Sequence, residues 1–166
     1  MHLRKTTTIA VLGLALAACG GSDGPTGPTV PPPDVAGTYY MTWQLQVLRK
    51  SDGFQTQFYC SGRITLSQGA TSVDTASLSG FVVVDAPCAP ESYDLSGTVG
   101  LGGAVEFTTN GPRPLEGPCP GGTGVAYTGQ ITAESGWRSL SARGTTMVTC
   151  PEFGPHDYTY LLSGSR

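Results

Sequence analysis

From Val35 onward, apolar and polar residues alternate with a period of two. Tyr39, Met41, Trp43, Leu45 and Val47 are interleaved with Tyr40, Thr42, Gln44, Gln46 and Leu48. The same alternation runs through Tyr93 to Leu101, Val125 to Ala133 and Tyr158 to Gly164. A period of two turns one face of each segment to a core and the other to water. No stretch beyond the first twenty or so residues keeps a helical period. Eight strands are predicted, at 37–49, 56–67, 72–84, 92–100, 103–110, 124–134, 137–149 and 157–165. The count and the sequential hairpins predict an all-β fold, an eight-stranded up-and-down antiparallel barrel. Closing the sheet removes edges that would otherwise recruit other strands. A two-sheet β-sandwich is the alternative, because periodicity is the same in both.

A short motif recurs inside the strands: Ser61-Gly62, Ser79-Gly80, Ser96-Gly97, Thr128-Gly129 and Ser163-Gly164. Each glycine falls in the apolar register. Glycine weakens a strand unless a bend or a close approach needs it. Two uses fit: kinks that let the barrel close, or space left for a ligand. Curvature is preferred, since every barrel must close and only some bind.

The first residues differ in kind. Arg4 and Lys5 precede an apolar run from Ile9 to Ala18, too short to span a bilayer. Leu16-Ala17-Ala18-Cys19 then resembles the lipobox of bacterial lipoproteins. The resemblance implies a signal peptide over 1–18 and a lipidated Cys19 as the first mature residue. Residues 19–34 read as a disordered linker rich in Gly and Pro, which could hold a domain up to about 45 Å from the lipid. Residues 35–166 form the barrel domain. Gly20 after the lipid cysteine, in place of an aspartate that marks inner-membrane retention in some bacteria, leads to an outer-membrane expectation.

Without the signal, seven Lys and Arg face twelve Asp and Glu. So few cations argue against nucleic acid as a partner. The expected contact with a membrane is the N-terminal lipid alone. Five cysteines are an odd number, and setting Cys19 aside leaves four. Four in an oxidising compartment read as two disulfides. Zinc is the competing reading, but the paired short spacings it needs are missing.

The connections are unequal. Those near Gln68–Ala70, Leu101–Gly103 and Glu134–Gly136 are short. Those at Arg49–Phe54, Asp85–Glu91, Gly111–Gly124 and Pro151–His156 are longer or richer in proline. In a meander the elaborate set shares one rim, and the four cysteines follow it there. Neighbouring strands then predict Cys60–Cys88 and Cys119–Cys150. The linker would join the barrel at the opposite end, so the stapled rim would point away from the membrane.

Tyr39, Trp43, Tyr93, Phe107, Tyr127, Tyr158 and Tyr160 share the inward register. They either line a pocket or fill the barrel, and eight strands allow both. Phe81 and Trp137 are placed on the outer or rim surface. His156 beside Asp157 could orient a base, but reads first as a loop residue. Glu91 and Asp94 read as solvated carboxylates. No catalytic set, metal site or cofactor is expected.

Gly37-Thr38-Tyr39, opening the first strand, is similar to the Gly-x-Trp opening of lipocalins. The domain resembles lipocalin-like and avidin-like barrels in outline. The resemblance implies an architecture and names no ligand. The leading expectation is non-enzymatic binding of a small apolar or aromatic molecule inside the barrel. A protein-interaction or structural module of the envelope, with an inhibitor-like protein as one form of it, acting through the stapled rim is the alternative.

Overall fold

The computed structural model describes residues 30–85, 91–110, 124–132 and 136–166. Eight strands follow in order: β1 (Gly37–Arg49), β2 (Gln55–Thr71), β3 (Thr75–Val84), β4 (Ser92–Gly100), β5 (Ala104–Thr109), β6 (Val125–Thr132), β7 (Ser139–Cys150) and β8 (Gly154–Ser165). Each pairs antiparallel with the next, and β8 pairs with β1. The result is a closed up-and-down barrel, as the alternation predicts, and not a sandwich.

One row of paired residues runs round the whole interior. It passes from Leu78 through Gly97, Phe107, Tyr127, Gly144, Tyr160 and Leu45 to Phe58. The direct partner of Leu78 on β2 is instead Gln68, ten residues from Phe58. This stagger inclines the strands by about 40° to the barrel axis. β1, β2, β7 and β8 are also the long strands, with 13, 17, 12 and 12 residues. Within the described residues they therefore stand above the other four at the end carrying Arg49, Gln55 and Cys150.

The motif glycines serve curvature. A Cβ on Gly62, Gly80, Gly97, Gly129 or Gly164 would overlap a carbonyl oxygen of the adjacent strand. Their missing side chains are thus occupied by neighbouring backbone, which lets a strongly coiled sheet close. A Cβ on Gly144 would also meet a carbonyl oxygen, Ala126 O, with the Val125 side chain nearer still. Gly144 lies between Tyr127 and Tyr160 in the lateral row, and a Cβ there would press on the Tyr127 ring.

The end opposite the tall strands is shut. Val35, just before β1, is fully buried, and its amide donates to Gln68 Oε1 at 3.0 Å. The Tyr39 hydroxyl points at two acceptors, Val35 O at 2.8 Å and Trp137 O at 3.1 Å. Arg166 lies over the Tyr39 ring at 5.7 Å, and its guanidinium donates to Ala36 O. Both the incoming chain and the C-terminus therefore meet at the short-turn end, as expected. Pro32 is buried too, so ordered packing begins within the stretch read as linker.

Several boundaries shift. β2 runs on to Thr71 through an irregularity after Gln68, and the turn follows at 72–74. The last connection is a three-residue turn, 151–153, and Gly154–His156 belong to β8. Gly154, at φ +73, supplies the left-handed residue that makes so short a turn feasible. Trp137 is not on the outer surface. It packs partly buried against the core at the shut end, over Gly103, with φ +62. Phe81 does face outward.

Candidate functional site

The inward aromatics form a connected column. Phe107 stacks on Tyr127 with centroids 5.0 Å apart. Tyr127 meets Tyr160 edge-on at 6.1 Å across Gly144, and Tyr160 meets Tyr158 at 6.4 Å. His156 continues the series, 6.5 Å from Tyr158. Of the seven candidate lining residues, Tyr39, Trp43, Phe107, Tyr127, Tyr158 and Tyr160 are at most 4% exposed. Tyr93 is only half-buried; its hydroxyl donates to Glu91 Oε2 at 2.6 Å. Side chains bordering a ligand-sized void would be accessible to a water-sized sphere, open or enclosed, and these six are not. They pack against one another and the aliphatic core, which is the filled alternative at their level.

Burial raises the phenol pKa of Tyr39, Tyr127 and Tyr158, because a phenolate would lose its hydration. At Tyr127 the neighbouring Tyr160 adds to the same direction. One buried donor stands apart. Trp43 Nε1 has no hydrogen-bond acceptor among the described residues.

His156 is buried and inward-facing on β8, not in a loop; the reason is that β8 starts three residues early. Its Nδ1 lies 2.9 Å from Gly154 O and 3.2 Å from Cys150 Sγ. A carbonyl only accepts, so Nδ1 carries the proton, and Nε2 is the acceptor of the neutral ring. The pattern His156, Tyr158, Tyr160, Leu162 is the signal that places this histidine inside. No serine hydroxyl contacts it among the described residues.

Cys60 and Cys150 are each disulfide-bonded. Cys150 ends β7 at the tall rim. Cys60 is early in β2, as expected, inward-facing and paired with Trp43. Both predicted pairs have a member, Cys88 or Cys119, outside the described residues, as is Cys19. Among the described residues, no three His, Cys, Asp or Glu side chains group as a metal site.

Two surface features escaped the sequence reading. At the tall rim, the Arg49 guanidinium lies 4.9 Å from the centroid of Phe54 and 5.3 Å from that of Phe153. Arg49 also pairs with Asp52 at 3.0 Å. The Asp52 carboxyl is held below its usual range, first by the Phe54 backbone amide and also by Arg49. The two turns are tied by Lys50 N to Pro155 O, at 3.0 Å, and Ser51 Oγ to Phe153 O, at 3.4 Å. Phe54 and Phe153 nonetheless stay exposed, at 55% and 43%. Sequence alone does not bring them together, since a hundred residues separate them.

The second feature is on the outside of the tall strands. Gln57, Gln46, Thr159 and Thr145 form one outward row across β2, β1, β8 and β7. Cavities of about 430 and 420 Å³ lie along it and share Asp157 and Thr159. Gln57 Oε1 accepts from Gln44 Nε2 at 3.1 Å and from the Tyr59 hydroxyl at 3.0 Å. The spacing Gln44, Gln46 and Gln55, Gln57, on the two arms of the first hairpin, was the available signal.

No known protein family matches the chain, and neither does any curated protein or solved structure.

Proposed function

We propose that this is a lipid-anchored protein of the bacterial cell envelope that works by binding and not by catalysis, with the tall rim of the barrel as its contact surface for another envelope protein. The observation that carries this reading is the Phe54–Arg49–Phe153 clamp. Exposed aromatics beside an arginine are the residue types that dominate protein interfaces. Cross-links between the two turns hold them in place beforehand, which lowers the ordering cost of binding. The packed aromatic column supports a surface over the interior.

The address belongs to the same proposal. Leu16-Ala17-Ala18-Cys19 supports signal cleavage, lipidation of Cys19 and an outer-membrane location. The chain joins the barrel at the shut end, so an anchored domain would turn its tall rim outward from the membrane. Disulfides Cys60–Cys88 and Cys119–Cys150 would brace that rim.

A second reading has one observation in its favour. Trp43 Nε1 is a buried donor without an acceptor among the described residues, and a small apolar or aromatic ligand with one acceptor would satisfy it. Two measurements separate the readings. A photo-crosslinking residue at Phe153, compared with one at the shut-end Val73, should yield a defined protein adduct in the native envelope from Phe153 only. Equal adducts from both positions, or none, would count against the rim. Native mass spectrometry of the protein from its own host should show no retained small molecule; a stoichiometric one would favour the interior.

A further inference from the structure

We infer that the outer face of β1, β2 and β8 is a binding site for a neutral glycan, separate from the rim surface and independent of that reading. Four of the six glutamines of the chain, Gln44, Gln46, Gln55 and Gln57, stand on the outer face of one hairpin. The remaining outward faces of the barrel carry mainly Ser, Thr and single charges. Gln46, Gln55 and Gln57 line a concave site of about 430 Å³, which runs on across Thr159 into a second of about 420 Å³. Four neighbouring strands make a trough about 14 Å wide at three strand spacings. That length suits a short oligosaccharide.

The chemistry of the lining selects the ligand. Each glutamine amide has two donor hydrogens and an accepting oxygen, and each threonine hydroxyl does both. Vicinal sugar hydroxyls need such paired donors and acceptors. The side chains of Gln46, Gln55 and Thr159 make no hydrogen bond to other described residues, so their capacity is directed at the trough. Gln57 is oriented by Gln44 and Tyr59, which both donate to its oxygen and leave its NH2 as the donor on offer.

Charge and position in the sheet favour a neutral ligand. The one carboxylate on the trough, Asp157, is paired with Lys50 at 3.0 Å, so the lining carries no lone charge that would select an acidic or a basic ligand. An extended peptide binds a sheet by adding along a strand edge, whereas the trough lies on the face of paired strands.

The test uses the purified full chain on an immobilised panel of neutral oligomers of glucose, mannose, galactose and N-acetylglucosamine. At least one should be retained, with affinity confirmed by calorimetry. The Gln46→Ala/Gln57→Ala double variant should bind about tenfold more weakly, as expected for two lost hydrogen bonds. Thr159→Val is the second variant, should the first fail to fold, and should weaken binding a few-fold. Phe153→Ala should bind unchanged. Retention of no neutral oligomer would overturn the inference, as would equal binding by the wild type and the trough variants.

Discussion

The two ends of the barrel solve opposite problems. At the shut end, the turns are short and the polar groups are matched internally: Tyr39 to Val35 and Trp137, Gln68 to Val35, Arg166 to Ala36. At the tall end, four strands outrun the others, and two phenylalanines are left exposed around an arginine. The shut end uses its side chains to exclude water. The tall end uses hydrogen bonds between its turns to hold apolar groups in it. Apolar surface that is kept rigid at an entropic cost, instead of being buried, is what a contact surface requires.

Removing the proposed disulfide braces should break this contrast most severely. Under the proposed pairing, each disulfide closes a loop of about thirty residues, worth about 3–4 kcal/mol in loop entropy. Dithiothreitol should therefore shift the urea midpoint strongly downward. Hydrogen exchange should rise first at the tall ends of β7 and β8, while amides beside Tyr39 stay protected. A reduced protein with an unchanged midpoint would remove the bracing role. Peptide mapping that joined Cys88 to Cys119 would remove the pairing.

Next in size is a change between the ends. Gly97→Ala would drive a Cβ into the Glu106 carbonyl and the Phe107 backbone. Backbone cannot move aside as a flexible side chain can, so the expected cost is about 1–3 kcal/mol. Ser96→Ala, one residue away on the outer face, is the control and should change stability by no more than about 0.5 kcal/mol. Equal effects of the two would mean that the motif glycines do not set the curvature.

These glycines show how far the sequence is readable. Their apolar register is visible in Leu95-Gly97-Val99, and so is the barrel that needs them. Strand pairing also follows from alternation, because slipping by one residue would turn every buried side chain outward. β1 and β4 have the predicted bounds for this reason. The rest depends on partners distant in sequence. His156 joins β8 only because Gly154 can take a positive φ in a three-residue turn. Trp137 turns inward because Tyr39, 98 residues away, donates to its carbonyl. Phe54 and Phe153 are polar-flanked loop residues until Arg49 gathers them. Whether the aromatics fill the barrel or line it depends on ring-to-ring distances, and periodicity carries no such information.

Alkaline pH probes the buried column directly. The Tyr127 phenol is raised by burial, so between the unfolded value near 10 and its higher folded value the native state holds a proton that the unfolded state has lost. Stability is then complete below about pH 10 and falls as pH rises, by up to about 1.4 kcal/mol per unit for one such group. Urea midpoints measured from pH 8 to 11 should be flat at first and then decline. The Tyr127→Phe variant should decline less steeply. A slope that is the same in the variant would mean that Tyr127 is hydrated. The shut end gives a smaller effect. Tyr39→Phe removes one hydroxyl from two carbonyl acceptors and should cost about 1 kcal/mol.

The smallest change in stability should accompany the largest change in binding. Phe153 is nearly half exposed, and Phe153→Ala removes one wall of the Arg49 clamp while leaving Phe54 on the other side. Surface truncations of this kind shift stability by no more than about 0.5 kcal/mol. The same truncation at the centre of an interface costs about 2 kcal/mol or more of affinity. The urea midpoint and the crosslinking yield from a probe at Phe54 should therefore separate: the first unchanged, the second lost. If stability fell by several kcal/mol instead, the clamp would be a structural closure like Tyr39, and the two ends would be alike. If neither changed, the exposed rings would be solvated loop residues with no partner.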